Sequence, residues 1–176
     1  MATADAGGGL TRNAALINAV NGFIDEVEQS SPNSAISLTT YSTTASRDLD
    51  LTDDLNVVRN AVAGIGANGL TNIFQGLRFG SDSLQGTNSR PFAQRTIVVM
   101  TDGNFNEGGT PLPSANVAAN RGHTIHTVTF SPGANQNIMR DVADVGNGLH
   151  FHADDAADLA AAFREIARTL AVVLID

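Results

Sequence analysis

The sequence predicts an α/β fold, a doubly wound and mainly parallel sheet covered by helices on both faces. Three observations lead there. Segments with strand patterning alternate with segments of helical periodicity along the chain, the order that produces a parallel sheet with crossover helices. Arg95-Thr-Ile-Val-Val-Met-Thr101 is a nearly unbroken apolar run ending in turn residues, as expected of a strand buried on both faces. The chain has 176 residues, 42% of them hydrophobic, which suits a single core.

The elements follow in order. Met1–Gly9 lacks a positive or apolar segment and is expected to be a loop. From Leu10 to about Gln29, Leu16, Val20, Phe23, Ile24 and Val27 recur at three- and four-residue spacing, giving an amphipathic helix. Ser30-Ser-Pro-Asn33 ends it. Ala35–Tyr41 alternates Ile36, Leu38 and Thr40 against Ser37, Thr39 and Tyr41, and a second strand is expected at Ser46–Leu51. Thr52-Asp-Asp-Leu55 starts a helix, with Thr52 as capping hydroxyl, that runs to about Ile65 and stops at Gly66.

A loop through Gly69-Leu-Thr-Asn72 leads into a helix over Ile73–Leu84, with Phe74, Leu77 and Leu84 inward. After the 95–101 strand come a Gly- and Asn-rich loop, a helix opened by Pro111 and Pro113 and closed by Gly122, and a strand over Thr124–Phe130. A helix at Asn137–Val145, a strand at Leu149–His152 and a helix at Asp155–Thr169 complete the alternation. Ala171-Val-Val-Leu-Ile-Asp176 is a final apolar, β-branched run. The expected division is a domain over 1–170 and a C-terminal strand over 171–176.

Charge and composition narrow the function. Eighteen acidic residues against ten basic ones give a net charge of -8, which opposes general attraction to nucleic acid or anionic lipid. No apolar run approaches the roughly 20 residues of a membrane span. All ten basic residues are Arg and there is no Cys, which removes lysine nucleophiles, Walker-type lysines, thiol catalysis and zinc thiolates. No Gly-x-Ser-x-Gly elbow is present. Gly64-Ile-Gly66-Ala-Asn-Gly69 has dinucleotide-loop spacing but follows a helix where a strand is required, so a Rossmann-like nucleotide-dependent enzyme is the disfavoured alternative.

Thr96-Ile-Val-Val-Met-Thr-Asp-Gly103, with Gly69-Leu-Thr-Asn-Ile73 before it, resembles the von Willebrand factor type A domain. Ala14–Val27, His123–Phe130 and Ala157–Ile166 extend the likeness over nearly the whole chain, most closely to the bacterial branch of surface and tight-adherence pilus proteins. The resemblance implies a non-enzymatic adhesion or assembly module, at a bacterial cell surface or outside the cell, that binds a protein partner or its own subunits. It also implies a divalent cation, usually Mg²⁺, held by an Asp-x-Ser-x-Ser loop, a Thr and an Asp at the carboxyl ends of the central strands, with hard oxygen ligands. Thr71 and Asp102 match the Thr and the Asp. The Asp-x-Ser-x-Ser loop occurs nowhere in the sequence, and Met1 falls just after the place it would hold.

In that family's strand order, 3-2-1-4-5-6, the strand before the missing loop is the central one. The 171–176 run is expected to fill its slot and bring Asp176 to the metal end, either within its own domain or in a neighbour's. In the second case subunits link head to tail as a homopolymer. The alternative is an extra apolar segment after the last helix, with the first strand outside this sequence. Either way the metal set is at most Thr71, Asp102 and Asp176, and Mg²⁺ binding is expected to be weak. His150-x-His152 would place two imidazoles on one strand face, and His123 and His126 lie close by, but the plainer reading is four polar positions flanking two strands. Asp154, Asp155 and Asp158 read as the electrostatic start of the last helix.

Overall fold

A computed structural model describes residues 9–66 and 69–170. Its elements are α1 (Arg12–Ser30), β1 (Ile36–Tyr41), β2 (Ala45–Thr52), α2 (Leu55–Ala63), α3 (Ile73–Ser83), β3 (Arg95–Thr101), α4 (Leu112–Asn120), β4 (His123–Phe130), α5 (Gln136–Val145), β5 (His150–Ala153) and α6 (Ala156–Leu170). The predicted α/β class and order hold. The loop expected over Met1–Gly9 falls, except for Gly9, outside the described residues, and so does the strand expected at 171–176.

Helix ends follow local chemistry. Thr11 caps α1 by accepting the Ala14 N–H, and Asn72 and Asn135 cap α3 and α5 in the same way. At α2 the expected cap is corrected: Asp54 accepts the N–H groups of Asn56 and Val57, while Thr52 Oγ1 accepts the Asp54 N–H. A carboxylate, with two oxygens and a full charge, is the stronger acceptor at a helix start. This helix also stops earlier than expected, at Ala63, with Gly64 closing it. Asp155 accepts the Ala157 and Asp158 N–H groups at the start of α6, as the charge pattern predicts.

The strands form two groups. β3, β4 and β5 are parallel neighbours in that order, with Arg95–Thr101 in continuous register with His123–Thr129. β1 pairs antiparallel with β2 through an irregular register near Leu38. Three apolar clusters cover them. On one face α1 and α6 pack Ala15, Ala19, Leu159, Phe163 and Ile166 against Val128, Phe130 and Ala153. Beside them Ile24 of α1 meets Val58 and Val62 of α2 over Ile36, Leu38 and Leu49. On the other face α3, α4 and α5 set Ile73, Leu77, Ala115, Ala118, Met139 and Val142 against Ile97, Val99 and Ile125. Odd residues of β3 thus serve one helix layer while Val98 and Met100 serve the other, the alternation a doubly covered strand requires.

Between β1 and β3 lies a cavity of about 670 Å³. Every residue from Ile36 to Tyr41 and from Arg95 to Thr101 borders it. Among the described residues no strand pairs with the facing edges of β1 and β3.

Candidate functional site at the carboxyl ends of the strands

The loops that follow β1, β3 and β4 converge with the start of α3. Gly69-Leu-Thr-Asn72 is anchored to the loop after β1: Asn72 N–H donates to the Ser42 carbonyl at 2.8 Å, and Asn72 Nδ2 donates to the Thr43 carbonyl at 3.2 Å. It is joined to the loop after β3 by a reciprocal pair, Thr71 N–H to Asn106 Oδ1 at 2.7 Å and Asn106 N–H to the Thr71 carbonyl at 3.2 Å. Gly108, at φ +75°, lets that loop lie against Asn72, since a Cβ there would stand 2.1 Å from Asn72 Oδ1. From β4, Ser131 Oγ donates to the Asp102 carbonyl at 3.2 Å.

Thr71 and Asp102 both border the cavity between β1 and β3. They lie at the carboxyl end of the break between the two strand groups, and open α/β sheets bind ligands outside the carboxyl ends of their strands. Arg12, at the start of α1, reaches the Asp102 carboxylate at 3.4 Å, with both side chains largely covered (24% and 19% exposed). Tyr41, at the end of β1, donates its hydroxyl across the gap to the Met100 carbonyl. Its ring lies on Gly76, where a Cβ would come within 2.5 Å of it. Burial, reinforced by the Asp102 charge, pushes the Tyr41 phenol well above its usual range and keeps it a donor.

Of the three residues expected to hold a metal, the structure places Thr71 and Asp102 on one crevice, and Asp176 lies outside the described residues. A Thr hydroxyl and a carboxylate are the hard oxygens that Mg²⁺ takes, yet they supply two of about six positions, and Asp102 already faces a guanidinium. No group of three or more His, Cys, Asp or Glu converges among the described residues. The donor chemistry fits and the donor number does not.

The histidines are structural in their contacts. His123 meets Ser81 and Gln85, His126 accepts the Leu149 N–H, and His150 and His152 meet the hydroxyls of Thr127 and Thr129. Sequence reasoning missed Arg12, Tyr41, Asn106 and Ser131. The one available signal was Tyr41, the chain's sole tyrosine, at the end of β1.

No curated protein matches the sequence. Among solved structures the chain is similar to the protein BatB from Bacteroides thetaiotaomicron, with TM-score 0.79 and 18% identity over 97% of this chain and 93% of that one. It is similar to the vWF domain of the type V pili tip protein Mfa5 from Porphyromonas gingivalis, with TM-score 0.77 and 16% identity over 96% and 91%. It also matches proximal thread matrix protein 1 from the mussel byssus, a structure described as having a zinc-occupied MIDAS motif, with TM-score 0.73 and 16% identity over 93% of this chain and 42% of that one. At these identities the likeness is one of fold. The sequence itself matches the von Willebrand factor type A domain over residues 10–165, and the chain belongs to that family.

Proposed function

We propose that this domain is a non-enzymatic adhesion or assembly module of a bacterial cell surface, which binds a protein partner, or further copies of itself, at the carboxyl ends of β1, β3 and β4. The carrying observation is the crevice itself: three loops tied together by hydrogen bonds around Thr71 and Asp102. A preorganised polar rim with a carboxylate at its centre suits protein recognition, because its ordering is complete before binding. The family membership and the fold shared with a pilus tip domain support the reading. No helix among the described residues is long and apolar enough to cross a membrane.

The metal site is incomplete in this reading. Thr71 and Asp102 need Asp176, or a carboxylate from the partner, to hold Mg²⁺. Calorimetry with Mg²⁺ or Mn²⁺ on the 176-residue chain is expected to give millimolar affinity or no heat, and micromolar affinity contradicts it. The function is tested by adding the purified chain to surface attachment assays of its host bacterium. The chain is expected to compete with attachment and the double variant T71A/D102A to compete far less. Equal competition by both, or a turnover activity abolished by one substitution, overturns the reading.

A further inference from the structure

The connection from α3 to β3 lies at the amino end of β3, the opposite end from Thr71 and Asp102, and it is tied down at several points. Asn88 Nδ2 donates to the Leu51 carbonyl at 2.8 Å. The Arg90 guanidinium donates to the Asn33 carbonyl and reaches the Asp53 carboxylate at 3.0 Å, while Arg95 donates to Ser89 Oγ at 2.9 Å. Within this connection Arg90–Ala93 forms a turn, closed by the Ala93 N–H on the Arg90 carbonyl at 3.4 Å, with Pro91 in its second place and Phe92 in its third.

Phe92 breaks two local rules. Its φ is +65°, the left-handed region that a turn with Pro in the second place takes with Gly or Asn, and that costs a bulky side chain more than either. Its ring is also fully exposed, whereas the other exposed large apolar side chains among the described residues reach 49% at most. Pro91 and Ala93 are exposed as well, so three consecutive apolar residues stand in solvent at the tip of an anchored turn. Neither folding nor solubility gains from that arrangement. An aromatic ring on a support that is already ordered is the form an interface anchor takes, because it offers a large contact area with little left to immobilise on binding.

We propose that the 90–93 turn is a second docking surface, on which Phe92 enters an apolar pocket of benzyl size in a protein other than this chain. This goes beyond the carboxyl-end reading and does not depend on it. The shape decides the occupant. A symmetric contact between two copies through the tip sets one convex knob against another, and three residues a side fall far short of the roughly 800 Å² per partner of a stable interface. Lipid is opposed by the net charge of -8 at any anionic surface and by the shortness of the tip. A concave protein surface encloses the ring, and its polar rim meets the Arg90–Asp53 pair beside the tip.

The test places the photoprobe p-benzoylphenylalanine at position 92 of the 176-residue chain, irradiated on host cells, with the same probe at Val117, an exposed position on α4, as control. One protein adduct is expected, joined through an apolar residue of the partner and absent at 117. Excess wild-type chain should displace it, and F92N should need at least about tenfold more to do so. The F92N chain should also melt roughly 2–4 °C higher, because Asn accepts a positive φ at lower cost. No adduct, equal adducts at both positions, a cross-linked dimer of this chain, a lipid adduct, displacement by F92N as effective as by wild type, or a melting temperature at or below the wild-type value overturns the proposal. The adduct is expected to persist in the T71A/D102A chain, and its loss there overturns the separation of the two surfaces. A chain that forms the adduct but does not compete for attachment sinks the adhesion reading alone, so the two failures are distinguishable.

Discussion

The two edges of strand β3 are in opposite conditions. On one, all of Arg95–Thr101 pairs with β4 in unbroken register, and the side chains above and below are sealed by helices. On the other, a cavity separates β3 from β1, and the described contacts across it come from side chains, chiefly Tyr41 to Met100 and Arg90 to Asn33. The difference teaches where cohesion resides. The β3–β4–β5 half is held by backbone ladder and dense packing together, while β1 and β2 are joined to it through their helices and these bridges.

The largest expected effect is a contrast in stability. Ile125 of β4 is fully buried between α3, α4 and α5, and Ile125→Ala should cost about 2–5 kcal/mol in urea denaturation, a large-to-small change in a core that cannot collapse. Leu38 of β1 is only half-buried, and Leu38→Ala should cost less than half as much, because the truncation removes less area from contact with the core. Equal losses would erase the distinction between the halves.

A smaller effect sharpens the view of the bridges. Tyr41→Phe keeps the ring on Gly76 but removes the donor to the Met100 carbonyl, and should cost about 0.5–1.5 kcal/mol, the net range for a typical hydrogen bond. A neutral result would mean that the carbonyl has another partner and that the bridge carries nothing.

The pH response should separate the halves as well, since every histidine of the chain lies in β4 or β5. Burial lowers His123, His126 and His150 below their ordinary 6.5; Arg95 and Arg121 add to this at His123, and Arg140 and His152 at His150. The unfolded chain keeps the ordinary value and therefore binds more protons as pH falls through about 6.5. The stability from these groups is complete above that pH and declines below it. The urea midpoint should drop between pH 7.5 and 5.5, with a shallower drop for His126→Gln. A midpoint that rises on acidification contradicts the assignment.

Much of the fold was legible because it is written locally. The apolar run of β3, the alternation of β1 and the three- and four-residue spacing in α1 each carry their burial pattern within a dozen residues. Thr71 and Asp102 were legible through their tripeptide contexts. The rest of the site depends on contacts between distant residues, 90 positions apart for Arg12 and Asp102, 59 for Tyr41 and Met100, 35 for Thr71 and Asn106. Periodicity placed Arg12 off the apolar stripe and could not show that it turns toward a carboxylate. The cap at Asp54 was misread because a hydroxyl and two carboxylates stood together, and only geometry chooses among them.

The expectation that residues 171–176 fill the gap between β1 and β3 is tested most directly by amide hydrogen exchange on the 176-residue chain and on the chain lacking 171–176. The account predicts that in the full chain the backbone amides of Ile36–Tyr41 and Arg95–Thr101 are protected on both edges. Deletion should accelerate exchange in β1 and β3 on the gap side while β4 and β5 stay unchanged. Identical exchange in the two chains, with the gap-facing amides of β3 unprotected in both, would contradict it.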